Sequence, residues 1–236
     1  KGMSPRDDGY YAVSSAPQVI RGKIVFGGSV ADGQKVGEPS GVIRAFDAVT
    51  GKLAWAWDMG RPGKHGEPGP GESYTPGTPN SWGPMSADEA LGLVYVPTGN
   101  ATPDYWGGHR TPEMNKYASS IVALDAETGE PRWSFQTTHY DVWDYDVASQ
   151  PVLFDLKKDG ATIPALIQPT KRGELFVLDR RTGTPLFPVE ERPAPQKGSA
   201  EPGRISPTQP WSVALPHLMG PELTERRMWG LSALDQ

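Results

Sequence analysis

The stretch "AFDAVTGKLAW", Ala45 to Trp55, returns twice in altered form, as "ALDAETGEPRW" from Ala123 to Trp133 and "VLDRRTGTPLF" from Val177 to Phe187. The three align without a gap: a small or branched residue, an apolar residue, Asp, two variable positions, Thr-Gly, three more residues and an aromatic. Each copy reads as a β-hairpin. The apolar run before Asp ("GVIRAF", "SIVAL", "ELFVL") is one strand; Asp caps the turn through its side chain, Gly supplies positive φ, and the aromatic begins the return strand. An aromatic that recurs at one position implies a packing contact repeated between neighbouring units. The aspartates are unequally spaced, so the units carry insertions of different length. The expected fold is all-β, a β-propeller built from irregular four-stranded units.

Composition agrees with short strands. Glycine (28) and proline (25) punctuate the 236 residues too often for long helices, while 36% hydrophobic and 22% charged residues are ordinary for a soluble globular chain. No run reaches the eighteen or so apolar residues of a membrane-spanning helix, and the opening "KGMSPRDDGYY" has no apolar segment of signal-peptide type. Any targeting segment or membrane anchor is therefore expected outside this chain. A net charge of −5 with no clustered basic face argues against a nucleic-acid partner. The absence of cysteine excludes disulfides and thiolate metal sites.

A second stretch carries chemistry. "HYDVWDYD", His139 to Asp146, threads three aspartates among aromatic residues, where like charges repel and desolvation penalises each carboxylate. By itself such a stretch is a solvated turn or a site that needs a cation. His65, His109, His139 and His217 show no HxxxH or HExxH spacing, so a histidine metal site has little support. "GEPGPGESYTPGTPN" (Gly66 to Asn80) lacks the glycine order of a phosphate loop and reads as an insertion over the functional end. No G-x-G-x-x-G opens a helix after a strand, which leaves a nicotinamide-dependent dehydrogenase poorly supported.

The repeated A-x-D-x-x-T-G-x-x-x-W pattern resembles the tryptophan-docking motif of the pyrroloquinoline quinone (PQQ) dehydrogenases, which are eight-bladed propellers. "SGVIRAFDAVTGKLAWAWD", "TPNSWGP", "TPDYWGGHRTPE", "YASSIVALDAETG", "DVWDYD" and "GELFVLDRRTG" are similar in particular to the membrane-bound glucose, quinate and shikimate dehydrogenases, in order and along nearly the whole chain. The resemblance implies oxidation of a sugar or cyclic polyol hydroxyl, with electrons passed to ubiquinone at the periplasmic face of the bacterial inner membrane. It also implies that about half of the blades are present, the membrane anchor, early blades and closing blades lying elsewhere in a larger enzyme. From Pro188 to Glu225 the sequence is Pro-rich and only weakly periodic. The competing reading is a non-catalytic propeller scaffold that shares the docking repeat.

Site residues follow from the same resemblance. Asp144, directly after the Trp of W-D-x-D, corresponds to the catalytic base, whereas Asp141 and Asp146 read as turn or network carboxylates. A hard, calcium-like ion (or Mg²⁺) would take Asp32, Asn100 and Asp144, with Thr102 as a substitute ligand; Asn100 departs from the glucose enzymes toward the alcohol and quinate pattern. PQQ is a flat tricarboxylate and calls for an aromatic floor and cationic or hydroxyl contacts. Trp82 corresponds to the stacking tryptophan, Lys171 to the cation at the quinone oxygens, and Ser14 and Ser29 to hydroxyls at its carboxylates. None of these site residues would be required by a scaffold.

Overall fold

The computed structural model describes residues 10–33, 35–220 and 224. Strand β1 (Tyr11–Ala12) leads into β2 (Gln18–Ile20) and β3 (Lys23–Phe26); after a short β4 (Ser29–Val30) come β5 (Ile43–Asp47) and β6 (Leu53–Trp57). The first blade is the antiparallel sheet β2-β3-β5-β6, and β4 leaves it to pair with β1. A second blade follows from β7 (Ser86–Asp88) and β8 (Leu93–Pro97), a one-and-a-half-turn helix α1 (Pro112–Tyr117), β9 (Ser120–Asp125) and β10 (Pro131–Gln136), paired 7-8-9-10. The third contains β11 (Val152–Lys158), β12 (Ala161–Pro169) and β13 (Leu175–Asp179), with a Leu178–Pro185 bridge in place of a fourth strand. A hairpin of β14 (Val189–Pro193) and β15 (Thr208–Ser212) closes the described chain.

The expected hairpins are present in all three repeats, and their turn chemistry is as the sequence implies. Asp47 Oδ1 accepts the amides of Val49 and Thr50 and the Thr50 hydroxyl, Asp125 Oδ1 those of Glu127 and Thr128, and Asp179 Oδ1 that of Arg181. Gly51, Gly129 and Gly183 all adopt φ near +70°. The recurring aromatic has a definite task. The Trp55 indole N–H donates to the Ala126 carbonyl in the next repeat at 2.9 Å, and that of Trp133 donates to the Arg180 carbonyl at 3.2 Å. Each ring also covers the next blade's turn glycine, so closely that a Cβ on Gly129 or Gly183 would stand 2.6 or 2.5 Å from indole carbon. Phe187 has no N–H and cannot repeat the hydrogen bond; it lies beneath the Lys158 ammonium instead.

Strand alternation explains the core. On β8 and β9, Leu93, Tyr95, Ile121 and Ala123 face the third blade, packing with Leu166, Phe176 and Leu178. Val94, Val96, Val122 and Leu124 face the first, packing with Ile20, Val25, Ile43 and Trp55. The middle blade is thus buried on both sides, which is why "LVYVP" and "SIVAL" read as unbroken apolar runs. Among the described residues no helix is long and apolar enough to cross a membrane.

Because every sheet is antiparallel and its strands follow in chain order, connections alternate between two ends. The docking turns lie at one end. The connections β3–β5, β6–β7, β8–β9, β10–β11 and β12–β13 all emerge at the other, and they carry Asp32, Trp82, Asn100 with Thr102, Asp144 and Lys171 respectively.

Candidate functional site at the loop end

The "HYDVWDYD" loop assigns its three aspartates three different tasks. Asp141 is fully buried and organises the turn: its carboxylate accepts the amides of Trp143 and Tyr145 at 2.9 and 2.8 Å and the Ser119 hydroxyl at 2.6 Å. Burial raises its pKa against these donors. Asp144, held at φ +63° in the left-handed region, projects from that turn with its side chain about a third exposed (35%). Such a conformation is costly for a non-glycine residue and recurs where a side chain must be aimed. Asp146 turns inward, its side chain only 4% exposed.

Asp146 is the hub of the site. One oxygen accepts the Trp82 indole N–H and the Lys171 ammonium, both at 3.1 Å, and the other accepts the Asn100 amide at 2.6 Å. Lys171 also donates to the Asp144 carboxylate at 3.1 Å and to its carbonyl at 3.0 Å, and its Nζ lies 5.7 Å from the Trp82 ring centroid. Burial, with Asp144 adding to it and Lys171 opposing, pushes Asp146 up to about 6. For Lys171, burial pulls the pKa down, but Asp146 and Asp144 prevail and raise it, so the lysine is firmly cationic. Four loops are joined here by charge-assisted hydrogen bonds, which fixes a half-buried indole, an ammonium and a projecting carboxylate relative to one another.

Asn80 and Asp104 join the acidic side of the site. Asn80 Nδ2 donates to Asp32 Oδ2 at 3.2 Å, and the Asp104 amide donates to the Asp32 carbonyl. Asp104 is buried; desolvation first, then the charges of Asp32, Asp146, Asp144 and Asp141, push it up to about 7. Several carboxylates therefore share a region with too little positive charge. Two buried oxygens there, Asn80 Oδ1 and Asp104 Oδ1, have no hydrogen-bond partner, and neither has Thr102 Oγ1 on the connection that carries Asp104. Orphaned oxygens beside uncompensated carboxylates are the donor set of a hard divalent cation, and the residues fit such an ion. Among the described residues no three carboxylates or imidazoles form an ion cage by themselves, so amide and hydroxyl oxygens would have to contribute. Asn100 also fixes the loop: its Nδ2 donates to the carbonyls of Asp104 and Asp141, and its Oδ1 accepts the Ala101 amide, which leaves that oxygen a second lone pair.

The remaining expectations divide. Ser14 donates to the Trp82 carbonyl at 3.0 Å and is brought to the site, while Ser29, on β4 opposite Ala12, bonds to none of the site residues. His139 is structural: its ring bridges Gln136 and Glu191, and its backbone exchanges two hydrogen bonds with Gln209. Asp104 and Asn80 went unread in the sequence; the only signal for Asp104 was its place two residues after Thr102.

Comparison with known proteins adds independent information. All 236 residues match a family model described as "PQQ: Glucose/ethanol/alcohol dehydrogenase, beta-propeller domain". The chain is 53% identical over its whole length to the glycerol dehydrogenase large subunit of Gluconobacter oxydans, of which it covers 32%. It is 47% identical over 94% of its length to quinoprotein glucose dehydrogenase A of Acinetobacter calcoaceticus, covering 28% of that protein. Among solved structures, the quinohemoprotein alcohol dehydrogenase of Comamonas testosteroni superposes with a TM-score of 0.61 at 29% identity, over 84% of this chain and 31% of that one. The chain thus spans about a third of the length of the relatives it matches.

Proposed function

Because this chain belongs to the PQQ-dependent glucose/ethanol/alcohol dehydrogenase β-propeller family, we propose that it supplies one side of the active site of a quinoprotein that oxidises a sugar or polyol hydroxyl. The observation that carries the reading is the convergence of Trp82 and Lys171 on Asp146, with Lys171 bonded to Asp144 as well. When bound, PQQ supplies a two-electron acceptor for the hydride of the substrate C–H. Trp82 offers the flat floor on which a tricyclic ring stacks. Lys171 offers an ammonium to its quinone oxygens, kept charged by two carboxylates. Asp144 takes the hydroxyl proton, since it is the carboxylate of the loop that projects from the turn and remains partly exposed. A Ca²⁺ or Mg²⁺ ion would be held by Asp32, Asn100 and Asp144, with Thr102 as a substitute ligand and Asn80 and Asp104 able to complete the oxygen shell; its charge would offset the crowded carboxylates.

Relatives named for glycerol and for glucose support a polyhydroxylated substrate. Ubiquinone as acceptor, and the periplasmic face of the inner membrane as location, are part of the same proposal. The test is Asp144→Asn in the complete protein. The amide keeps the shape but cannot accept the proton, so turnover at saturating PQQ and calcium should fall by about 10² to 10⁴. Cofactor occupancy, read by absorbance, should be unchanged. Near-normal turnover would remove Asp144 from the role of base.

A further inference from the structure

The Pro-rich segment between β14 and β15 reads in the sequence as a featureless connection, but it folds back as a strap over the loops that carry the site. Glu201, 7% exposed, accepts the Gly107 amide at 2.7 Å and the Tyr140 hydroxyl at 3.2 Å. Arg204 donates to the Gly108 carbonyl at 3.1 Å, and Gln209, just inside β15, exchanges two hydrogen bonds with the His139 backbone. The strap is therefore tied at several points to the connection holding Asp104 and to the one holding Asp144.

Between strap and loops lies a cavity of about 290 Å³. Tyr105, Val142 and Trp143 form its inner wall, and Lys197, Ser199 and Ile205 are on the strap side. Trp143 immediately precedes Asp144 and Tyr105 immediately follows Asp104, so this wall adjoins in the chain the two connections that carry those carboxylates. The volume suits a single small ring, at the low end of small-molecule sites. Its lining pairs two aromatic residues, suited to the C–H face of a polyhydroxylated ring, with the Lys197 ammonium and the Ser199 hydroxyl, whose oxygen accepts the Glu201 amide at 2.9 Å and whose O–H remains to donate.

We infer that the strap builds a substrate-recognition subsite for a polyhydroxylated ring, in which Tyr105 and Trp143 provide the platform and Ser199 and Lys197 read the hydroxyls. The inference rests on Asp144 being the base in the reading above. It assigns specificity to a segment that has no part in the docking repeats or in holding cofactor or metal.

The experiment is steady-state kinetics on the complete, PQQ-loaded protein with a ring polyol and with ethanol, which is too small to span the cavity. In Lys197→Ala/Ser199→Ala, KM for the ring polyol should rise about tenfold through the lost hydrogen bonds. kcat should stay within about twofold, and KM for ethanol should not move. An unchanged ring-polyol KM, or an equal rise for both substrates, overturns the subsite. If the double variant melts below the wild type, Lys197→Ala alone decides the matter by the same split, since Lys197 is exposed and Ser199 keeps its hydrogen bond from the Glu201 amide. Calorimetric binding of the ring polyol to the wild type and the variant reads the subsite without turnover; equal affinities would count against it. A failure of the Asp144→Asn test thus leaves this inference separately decidable.

Discussion

At the scale of single residues, Asp146 changes the balance of the site. The sequence offers it only as one of three aspartates, and nothing in "DVWDYD" separates a turn carboxylate from a hub. The distinction comes from partners far along the chain, above all Trp82, 64 positions away. Asp144 and Lys171 were legible because they sit in short motifs with family likeness, whereas Asp104 and Asn80 acquire importance only when loops from different blades meet. Removing Asp146 takes the hydrogen bond from the Trp82 indole and one of the two carboxylates from Lys171. Asp146→Ala should therefore weaken PQQ retention by about tenfold, with turnover largely recovered at excess cofactor. Equilibrium titration of the stripped complete protein with PQQ measures this. Unchanged affinity would show that Trp82 and Lys171 hold their places without it. Trp82→Ala should likewise lose retention through the missing stacking surface.

Docking hairpins set the scale of elements. Their turns were legible from the sequence because Asp, Thr and Gly each satisfy a local requirement, and the structure bears this out in hydrogen bonds and positive φ. The partner of each tryptophan was not legible, since one blade's indole meets the next blade's turn. Helix α1 also escaped: its six residues fall below the length at which apolar periodicity shows, although Thr111 caps it and Pro112 starts it. The strap escaped because its ties are side-chain contacts to distant backbone. Trp55 is 1% exposed, so Trp55→Ala should cost about 3–5 kcal/mol, seen as a lower denaturation midpoint. Trp55→Phe, which keeps most of the bulk and loses the N–H, should cost about 1 kcal/mol. Equal losses would mean that the indole hydrogen bond, and not the packed ring, dominates.

Acid should act on the same hairpins. Thr50 donors hold the Asp47 carboxyl below its ordinary value and the Arg181 side chain does so for Asp179; at Asp125, burial opposes but the Glu127 and Thr128 amides prevail. A carboxyl lowered in the folded state contributes stability that is present above its unfolded pKa of about 3.9 and lost as pH falls through the folded value. Melting temperature should therefore decline below about pH 4, and Asp125→Asn should both lower the neutral-pH melting temperature and flatten that decline. A variant with the wild-type acid slope would contradict the role given to the turn aspartates.

Across the whole molecule, the docking turns and the candidate site occupy opposite ends of the blades. Docking turns tie neighbours together at one end, and five connections from three blades gather carboxylates, a lysine and an indole at the other. The chain matches the propeller dehydrogenase family over its full length and covers about a third of its relatives. The central claim is that these loops serve a quinone cofactor and a hard cation in alcohol oxidation. Its most direct test is dye-linked oxidation of glycerol and glucose by the complete protein, first stripped of cofactor and metal and then resupplied with PQQ and calcium. The account predicts no turnover in the stripped protein and recovery only when both are added. Turnover that survives stripping, or that returns with a nicotinamide cofactor in place of PQQ, would contradict it.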